Sequence, residues 1–387
     1  MNLFDDLPEP TNNNDSVVAL APEAADVCSP DITPEPELLP LFYSVAARKG
    51  ERPEMQDAHV CLDDLSGIIP SNALNEVHRL AYFAVFDGHG GNRASSFAAK
   101  RLHWNLASRL PNKASSIHRD IKRIIYDAFK KTDEEFVRKA CHQRPHWRDG
   151  STASVVLIVD NTLYVANLGD SKVVLARHID ATPKSQPDVC AKDDPSKQLA
   201  TICLTRDHNP MDYEERQRIQ STGASVQNGR VNNILEVSRS FGDYQFKKQG
   251  VTCIPDIRKY QLTDKDRFLI LACDGLWKSF PPNEAVSFTD QLLRNEFSSP
   301  TIQNSFLTEA NPSPTQRSIN TVCNQLVNEA VLRMSGDNVT CILLVLSDTF
   351  SNRLPQADTV DSISDSIVDD PVAKEPPKKV PKLEQQE

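Results

Sequence analysis

Three aspartates, far apart in the chain, each stand at the tip of an apolar run. Asp87 follows Leu80–Phe86, Asp274 follows Phe268–Cys273, and Asp337 stands just before the run at 339–346. Carboxylates gathered in one place repel, and their pKa values rise unless a cation joins them. Convergent aspartates without matching Lys or Arg are the donor set of a hard divalent ion, Mg²⁺ or Mn²⁺. Each aspartate alone has an ordinary explanation, because Asp-Gly is a common turn signal. The company they keep weakens it. His89 lies two residues after Asp87, on a backbone that gathers Gly88, Gly90 and Gly91, three of only 13 glycines in the chain. The segment GERPEMQDAHV at 50–60 adds Arg52 and Asp57. An Arg beside a dicationic site suits an oxyanion such as phosphate, which its planar fork grips. A surface ion pair with Glu51 or Glu54 is the ordinary alternative. His59, in the same segment, reads as a half-buried structural histidine on the alternating face of a strand.

Such tips must be brought together by the elements that carry them. Short apolar runs at 42–48, 58–63, 80–86, 153–159, 162–168, 172–177, 199–204, 267–273 and 339–346 read as strands. They are nearly continuous, as expected of strands covered on both faces. The stretch SVVLIVDNTLYVANLGDSKVVLARH reads as three successive strands of one antiparallel meander, turning at Asp160-Asn161 and Gly169-Asp170. Helices are predicted over 92–110, 117–129 and 318–334, where apolar residues recur at i, i+3, i+4 and i+7. Their apolar stripes need a surface, and the strands supply one. The expected architecture is α+β: two stacked antiparallel β-sheets flanked by α-helices, an α-β-β-α sandwich. Residues 180–198 and 297–317 are longer than plain connections and read as surface insertions.

Residues 1–40 and 349–387 are rich in proline and polar residues and read as disordered tails around one catalytic domain at 41–348. The first tail carries LFDDLP at 3–8, an acidic-apolar segment. The second carries Lys374, Lys378, Lys379 and Lys382 between prolines, a weak nuclear address. The 43 basic residues are outnumbered by 53 acidic ones. That balance argues against a nucleic-acid or acidic-membrane binder. Nine cysteines without a C-x-x-C pair point to a reducing compartment rather than to disulfides or zinc. No run approaches the ~20 apolar residues of a membrane span. A cytoplasmic protein with possible nuclear residence is expected.

Nine motifs in order carry a resemblance: ERPEMQDAH, YFAVFDGHGG, DGSTA, NLGDSKVVL, TRDHNP, RIQSTGASV, LEVSRSFGD, LACDGLW and GDNVT. Over about residues 42–347 the chain resembles the type 2C metal-dependent serine/threonine protein phosphatases. The resemblance implies the sandwich fold and a binuclear site for Mg²⁺ or Mn²⁺. Asp87 would bridge both ions, the Gly88 carbonyl would complete one shell, and Asp274 and Asp337 would bind the other ion. Two ions ~3.5–4 Å apart share a water, lower its pKa and aim it at phosphorus. Arg52 would hold the phosphate oxygens, and Asp57 would orient metal-bound water. His89 would protonate the leaving serine or threonine as general acid. Phosphoserine and phosphothreonine proteins are the implied substrates, a kinase-signalling protein the implied partner, and a monomer the expected state. The chain departs from the family pattern at Gln56, where a Glu is usual, at Lys172, where an Arg is usual, and at Lys278, where an Asp is common. Trp147 stands where an Asp would bind a third ion, so that ion has no matching ligand there. The family's flap should lie near 206–240, with Arg206, Arg216, Arg218, Arg230 and Arg239. Two other readings stand beside this one. A scaffold without turnover is disfavoured by the intact principal ligands. A two-metal hydrolase of nucleotides or small phosphates is disfavoured by the motifs.

Overall fold

The structure is a computed structural model and describes residues 38–69, 77–111, 114–179, 199–298 and 313–346. The LFDDLP segment, the lysine cluster, residues 180–198 and most of the second insertion lie outside the described residues. Along the chain the elements are β1 (Phe42–Arg48), β2 (Ala58–Leu62), β3 (Leu80–Phe86), β4 (Gly88–His89), α1 (Arg93–Ala107), α2 (Ala114–His142), β5 (Gly150–Ser151), β6 (Ala153–Val159), β7 (Thr162–Leu168), β8 (Lys172–His178), β9 (Leu199–Cys203), α3 (Tyr213–Gln220), β10 (Val226–Gln227), β11 (Arg230–Val231), β12 (Phe241–Gly242), β13 (Asp256–Gln261), β14 (Asp266–Ala272), α4 (Asp274–Trp277), α5 (Pro282–Ser298), α6 (Pro314–Leu332) and β15 (Val339–Val345).

Two five-stranded sheets dominate, ordered β1-β15-β14-β8-β9 and β13-β7-β6-β3-β2. Every neighbouring pair in them is antiparallel. Strand alternation explains why their sequences are apolar throughout. In β14, Leu269 and Leu271 point into the layer between the sheets, where they join Phe83, Val156, Val173, Ile342 and Leu344. Phe268 and Ile270 point the other way, onto Ile319, Val322, Leu326 and Val286 of α6 and α5. In β3, Tyr82, Ala84 and Phe86 face Leu102, Leu106, Ile125 and Phe129 of α1 and α2. Both faces of each central strand are therefore dry, and each fully buried large side chain is worth about 1.5–3 kcal/mol. Helix α6 starts where the chain provides a cap. Ser313 accepts a hydrogen bond from Gln316 N, and Pro314 occupies the first turn.

Three expectations need correction. The 153–177 stretch is not one meander: β6 and β7 pair, but β8 lies in the opposite sheet beside β14. The link at Gly169, with φ 106°, carries the chain across the sandwich. A strand covered on both faces bears no mark of which sheet holds it. Helix α2 runs on to His142, because Phe136 and Ala140 pack with Phe97 and Trp147 after the main apolar stripe ends. His59 is exposed, lying on the edge strand β2 on the face opposite Ala58 and Val60. No helix among the described residues is long and apolar enough to cross a membrane.

Candidate active site

Register and topology bring the aspartate tips together. The end of β3 lies beside the start of β2 through the pair Phe86 and Ala58, so Asp87 and Asp57 are neighbours. The end of β14 meets the start of β15 through Ala272 and Cys341, which places Asp274 near Asp337. The start of β8 pairs with the same Ala272, and Asp170 just precedes it. Asp87, Gly88, His89, Asp170, Asp274 and Asp337 line one open pocket of roughly 420 Å³, with Arg52 and Gln56 at its wall. That size suits a phosphorylated side chain with bound ions. All the predicted metal ligands lie in this pocket. Asp57 sits behind them, its carboxylate within 4.8 Å of ligand atoms of both Asp87 and Cys273.

Around Asp87, Asp57 and Asp170 the electrostatics are those of a site short of positive charge, whereas at Asp337 burial is outweighed by Lys278 and Arg52, which hold the carboxyl down. Burial pushes the Asp87 carboxyl well above the usual range, and Asp57, Asp274, Asp170 and Asp337 push it further. Asp57 is raised to about 7, chiefly by burial, although Thr340 Oγ1 donates to its Oδ2 at 2.7 Å. Asp170 is likewise raised to about 7 by burial and then by Asp274 and Asp207. The buried Oδ1 of Asp274 has no hydrogen-bond partner. A buried acceptor without a donor is costly, and a divalent ion bound by carboxylate oxygens removes the cost. The residues therefore fit Mg²⁺ or Mn²⁺. They do not suit a soft metal: burial, then Asp57, Asp87 and Asp274, hold the Cys273 thiol well above its ordinary pKa, so it stays protonated.

Backbone packing fixes the ligands. Gly88 does not adopt a left-handed conformation. Glycine is required there because a Cβ would stand 2.3 Å from the Gln56 carbonyl oxygen and 2.7 Å from Ser95 Oγ. The glycine at 88 thus serves close approach of the backbone rather than freedom to bend. Asn338 ties down the loop that carries Arg52 and Gln56. Its Oδ1 accepts from Gln56 N at 2.7 Å, and its Nδ2 donates to the carbonyls of Lys49 and Glu54 at 2.7 and 3.1 Å. Arg52 reaches Asp337 Oδ2 with one nitrogen at 3.0 Å, and its side chain remains over half exposed.

His89 is not alone. Its Nε2 lies 2.7 Å from Oδ2 of the buried Asp243, which also accepts from Ser240 Oγ at 2.6 Å. Burial alone would depress the imidazole pKa, but the Asp243 charge and hydrogen bond outweigh it and raise the value. Gly150 of the DGSTA motif makes room for this pair, since a Cβ there would sit 2.2 Å from His89 Nε2. Asp149 next to it is buried and paired to Arg93 Nε at 2.7 Å, and Trp147 lies under the Arg93 guanidinium. Sequence reasoning missed Asp170 and Asp243. Asp170 carries the same strand-tip signal as Asp87 but was read as a turn, and Asp243 gave no periodic signal at all.

The 206–240 segment forms one wall of the pocket through Arg230, Ile234, Leu235, Glu236 and Val237. Most of its arginines are spent on neighbours. Arg206 pairs with Asp212, Arg230 with Glu236, and Arg218 with Glu215, while Arg239 reaches both Glu215 and Asp256. Arg216 is exposed. Glu215 is buried. Burial would raise its pKa, but hydrogen bonds from Arg218, Arg239 and Ser238 hold it far below the glutamate range. A depressed acid stabilises the folded state above its unfolded pKa, and that stability is lost progressively as pH falls from about 4.5 toward the much lower folded pKa. Glu215→Gln is expected to cost about 2 kcal/mol at pH 7, where the charged hydrogen bonds are lost. The check is thermal unfolding at pH 7 and at about pH 3, inside the window between the two pKa values. The gap between wild type and variant should narrow at the lower pH, and a constant gap would refute the assignment.

The comparisons with known proteins agree with this geometry. Residues 42–339 match the family model described as Protein phosphatase 2C. The chain belongs to the protein phosphatase 2C family. It is 50% identical over 302 residues to the integrin-linked kinase-associated serine/threonine phosphatase 2C of Bos taurus, covering 78% of this chain and 75% of that protein. It is 36% identical over 341 residues to the probable protein phosphatase 2C 8 of Arabidopsis thaliana, covering 87% and 88%. Among solved structures, a serine-threonine phosphatase 2C from Toxoplasma gondii superimposes with a TM-score of 0.58 at 22% identity, covering 81% of this chain and 97% of that one. This last likeness shows the sandwich fold. Membership makes the protein a hydrolase, a metal-dependent serine/threonine protein phosphatase.

Proposed function

We propose that this phosphatase 2C hydrolyses phosphoserine and phosphothreonine in proteins at a two-ion site held by Asp87, the Gly88 carbonyl, Asp274 and Asp337. The observation that carries the reading is the gathering of carboxylates in one pocket, with Asp87 half-buried among them and Asp274 Oδ1 left without a donor. Bound Mg²⁺ or Mn²⁺ would supply Lewis-acid charge and an activated water. The rest falls to the chain. Arg52, exposed at the rim, leaves Asp337 to grip phosphate oxygens with its fork. Asp57, held by Thr340, orients the water from behind the ligands. His89, whose pKa Asp243 raises, gives its proton to the departing serine or threonine oxygen. The relatives' name, integrin-linked kinase-associated, supports a partner in kinase signalling for this chain as well.

The test is phosphate release from a phosphothreonine peptide by the full chain, with Mn²⁺, with a chelator, and with Asp274→Ala. Release should require both Mn²⁺ and Asp274. No release by wild type with Mn²⁺, or equal release by the variant, would sink the reading.

A further inference from the structure

Lys278 ends the short α4 helix, four residues after Asp274, and its backbone N–H donates to the Asp274 carbonyl at 2.8 Å. Its Nζ lies 2.6 Å from Asp274 Oδ2 and 3.0 Å from Asp337 Oδ2. One ammonium therefore bridges the two carboxylates read above as ligands of one ion. The backbone is fixed and the side chain is half exposed, so the head can leave its partners only by swinging toward solvent. The Asp87 side of the pocket is different: among the described residues no donor reaches the Asp87 carboxylate.

We propose that Lys278 is a tethered cation that competes with the divalent ion for Asp274 and Asp337, and so sets the metal concentration at which this half of the site fills. The proposal rests on the metal-site reading only in taking those two aspartates as ligands. A divalent ion that binds both must displace the ammonium or sit beside a like charge at a few ångströms, and either is unfavourable. Lys278 also pairs with one oxygen, Oδ2, of each carboxylate when no ion is bound, which lowers the energy of the ion-free state. Both effects weaken binding by the same logic as any competing ligand. Arg52 contributes in part through its single contact with Asp337. Its guanidinium touches one carboxylate, whereas Lys278 clamps two.

The experiment is calorimetric titration of the full chain with Mn²⁺ at fixed pH, paired with thermal unfolding with and without Mn²⁺. The proteins are wild type, Lys278→Met, Lys278→Gln and Lys278→Arg. Lys278→Met is expected to bind Mn²⁺ at least tenfold more tightly in the weaker step and to gain a larger rise in Tm on Mn²⁺ addition. Lys278→Gln, which keeps a donor for the carboxylates without the charge, should fall between and guards against a variant that folds poorly. Lys278→Arg should stay near wild type. Equal or weaker Mn²⁺ binding by both neutral variants overturns the proposal, as does an Arg variant that binds as tightly as Met. If Mn²⁺ binds none of the proteins, wild type included, the metal-site reading itself fails, and the competition falls with it.

Discussion

Asp87→Asn is expected to lower Mn²⁺-dependent phosphopeptide hydrolysis by about a thousandfold or more while making the ion-free protein more stable. The two effects share one cause. Asp87 lies half-buried among like charges, and desolvation together with Asp57, Asp274, Asp170 and Asp337 holds its carboxyl well above the usual range. Its ionised form is therefore a cost to the fold that only a cation offsets. Asparagine keeps the shape and removes the charge, so the ion-free fold should gain roughly 1–3 kcal/mol, read as a rise of several degrees in Tm. The same change removes a carboxylate proposed to hold the ions, and a thousandfold loss corresponds to about 4 kcal/mol of transition-state stabilisation. Mn²⁺ should raise the Tm of wild type strongly and that of the variant little. A variant that is less stable than wild type without ions, or that keeps its turnover, would contradict this account of the site. Stability given up for function is the pattern expected where a fold carries a strained charge cluster.

Much of this arrangement was legible before any coordinates. Strands β3, β14 and β15 were visible because both their faces are dry, which makes them unbroken apolar runs with sharp ends. The same sharp ends marked Asp87, Asp274 and Asp337, since a carboxylate that abruptly closes a buried strand is conspicuous. What stayed hidden lacks such contrast. Strand β13 carries Asp256, Arg258 and Lys259, because it is a sheet edge that meets solvent. The placement of β8 depends on pairing across the sandwich, which local pattern does not encode. Asp243 sits in a left-handed turn with φ 47° and acts on a residue 154 positions away. Nothing near it in sequence announces His89. Lys278 was visible only as a departure from the family pattern, and its two carboxylate contacts emerge only when β14 and β15 are placed side by side.

The role of His89 can be separated from that of the ions by the leaving group. His89→Gln is expected to slow hydrolysis of a phosphothreonine peptide by about 10²–10⁴-fold, the usual worth of a positioned general acid. Hydrolysis of p-nitrophenyl phosphate by the same variant should fall by less than about tenfold. An alkoxide is a poor leaving group and needs a proton as the P–O bond breaks, whereas p-nitrophenolate departs without one. A residue that merely held the pocket together, or tuned the ions, would slow both substrates alike. Asp243→Asn should show the same signature in weaker form. It leaves the imidazole in place over Gly150 but removes the charge that raises its pKa. Calorimetric Mn²⁺ binding should be near wild type in both variants, because neither residue is among the proposed ligands. Equal losses on the two substrates would assign His89 to structure and leave the proton to come from water. Selective loss on the peptide ties the proton to the imidazole, and through Asp243 to the turn at the end of β12.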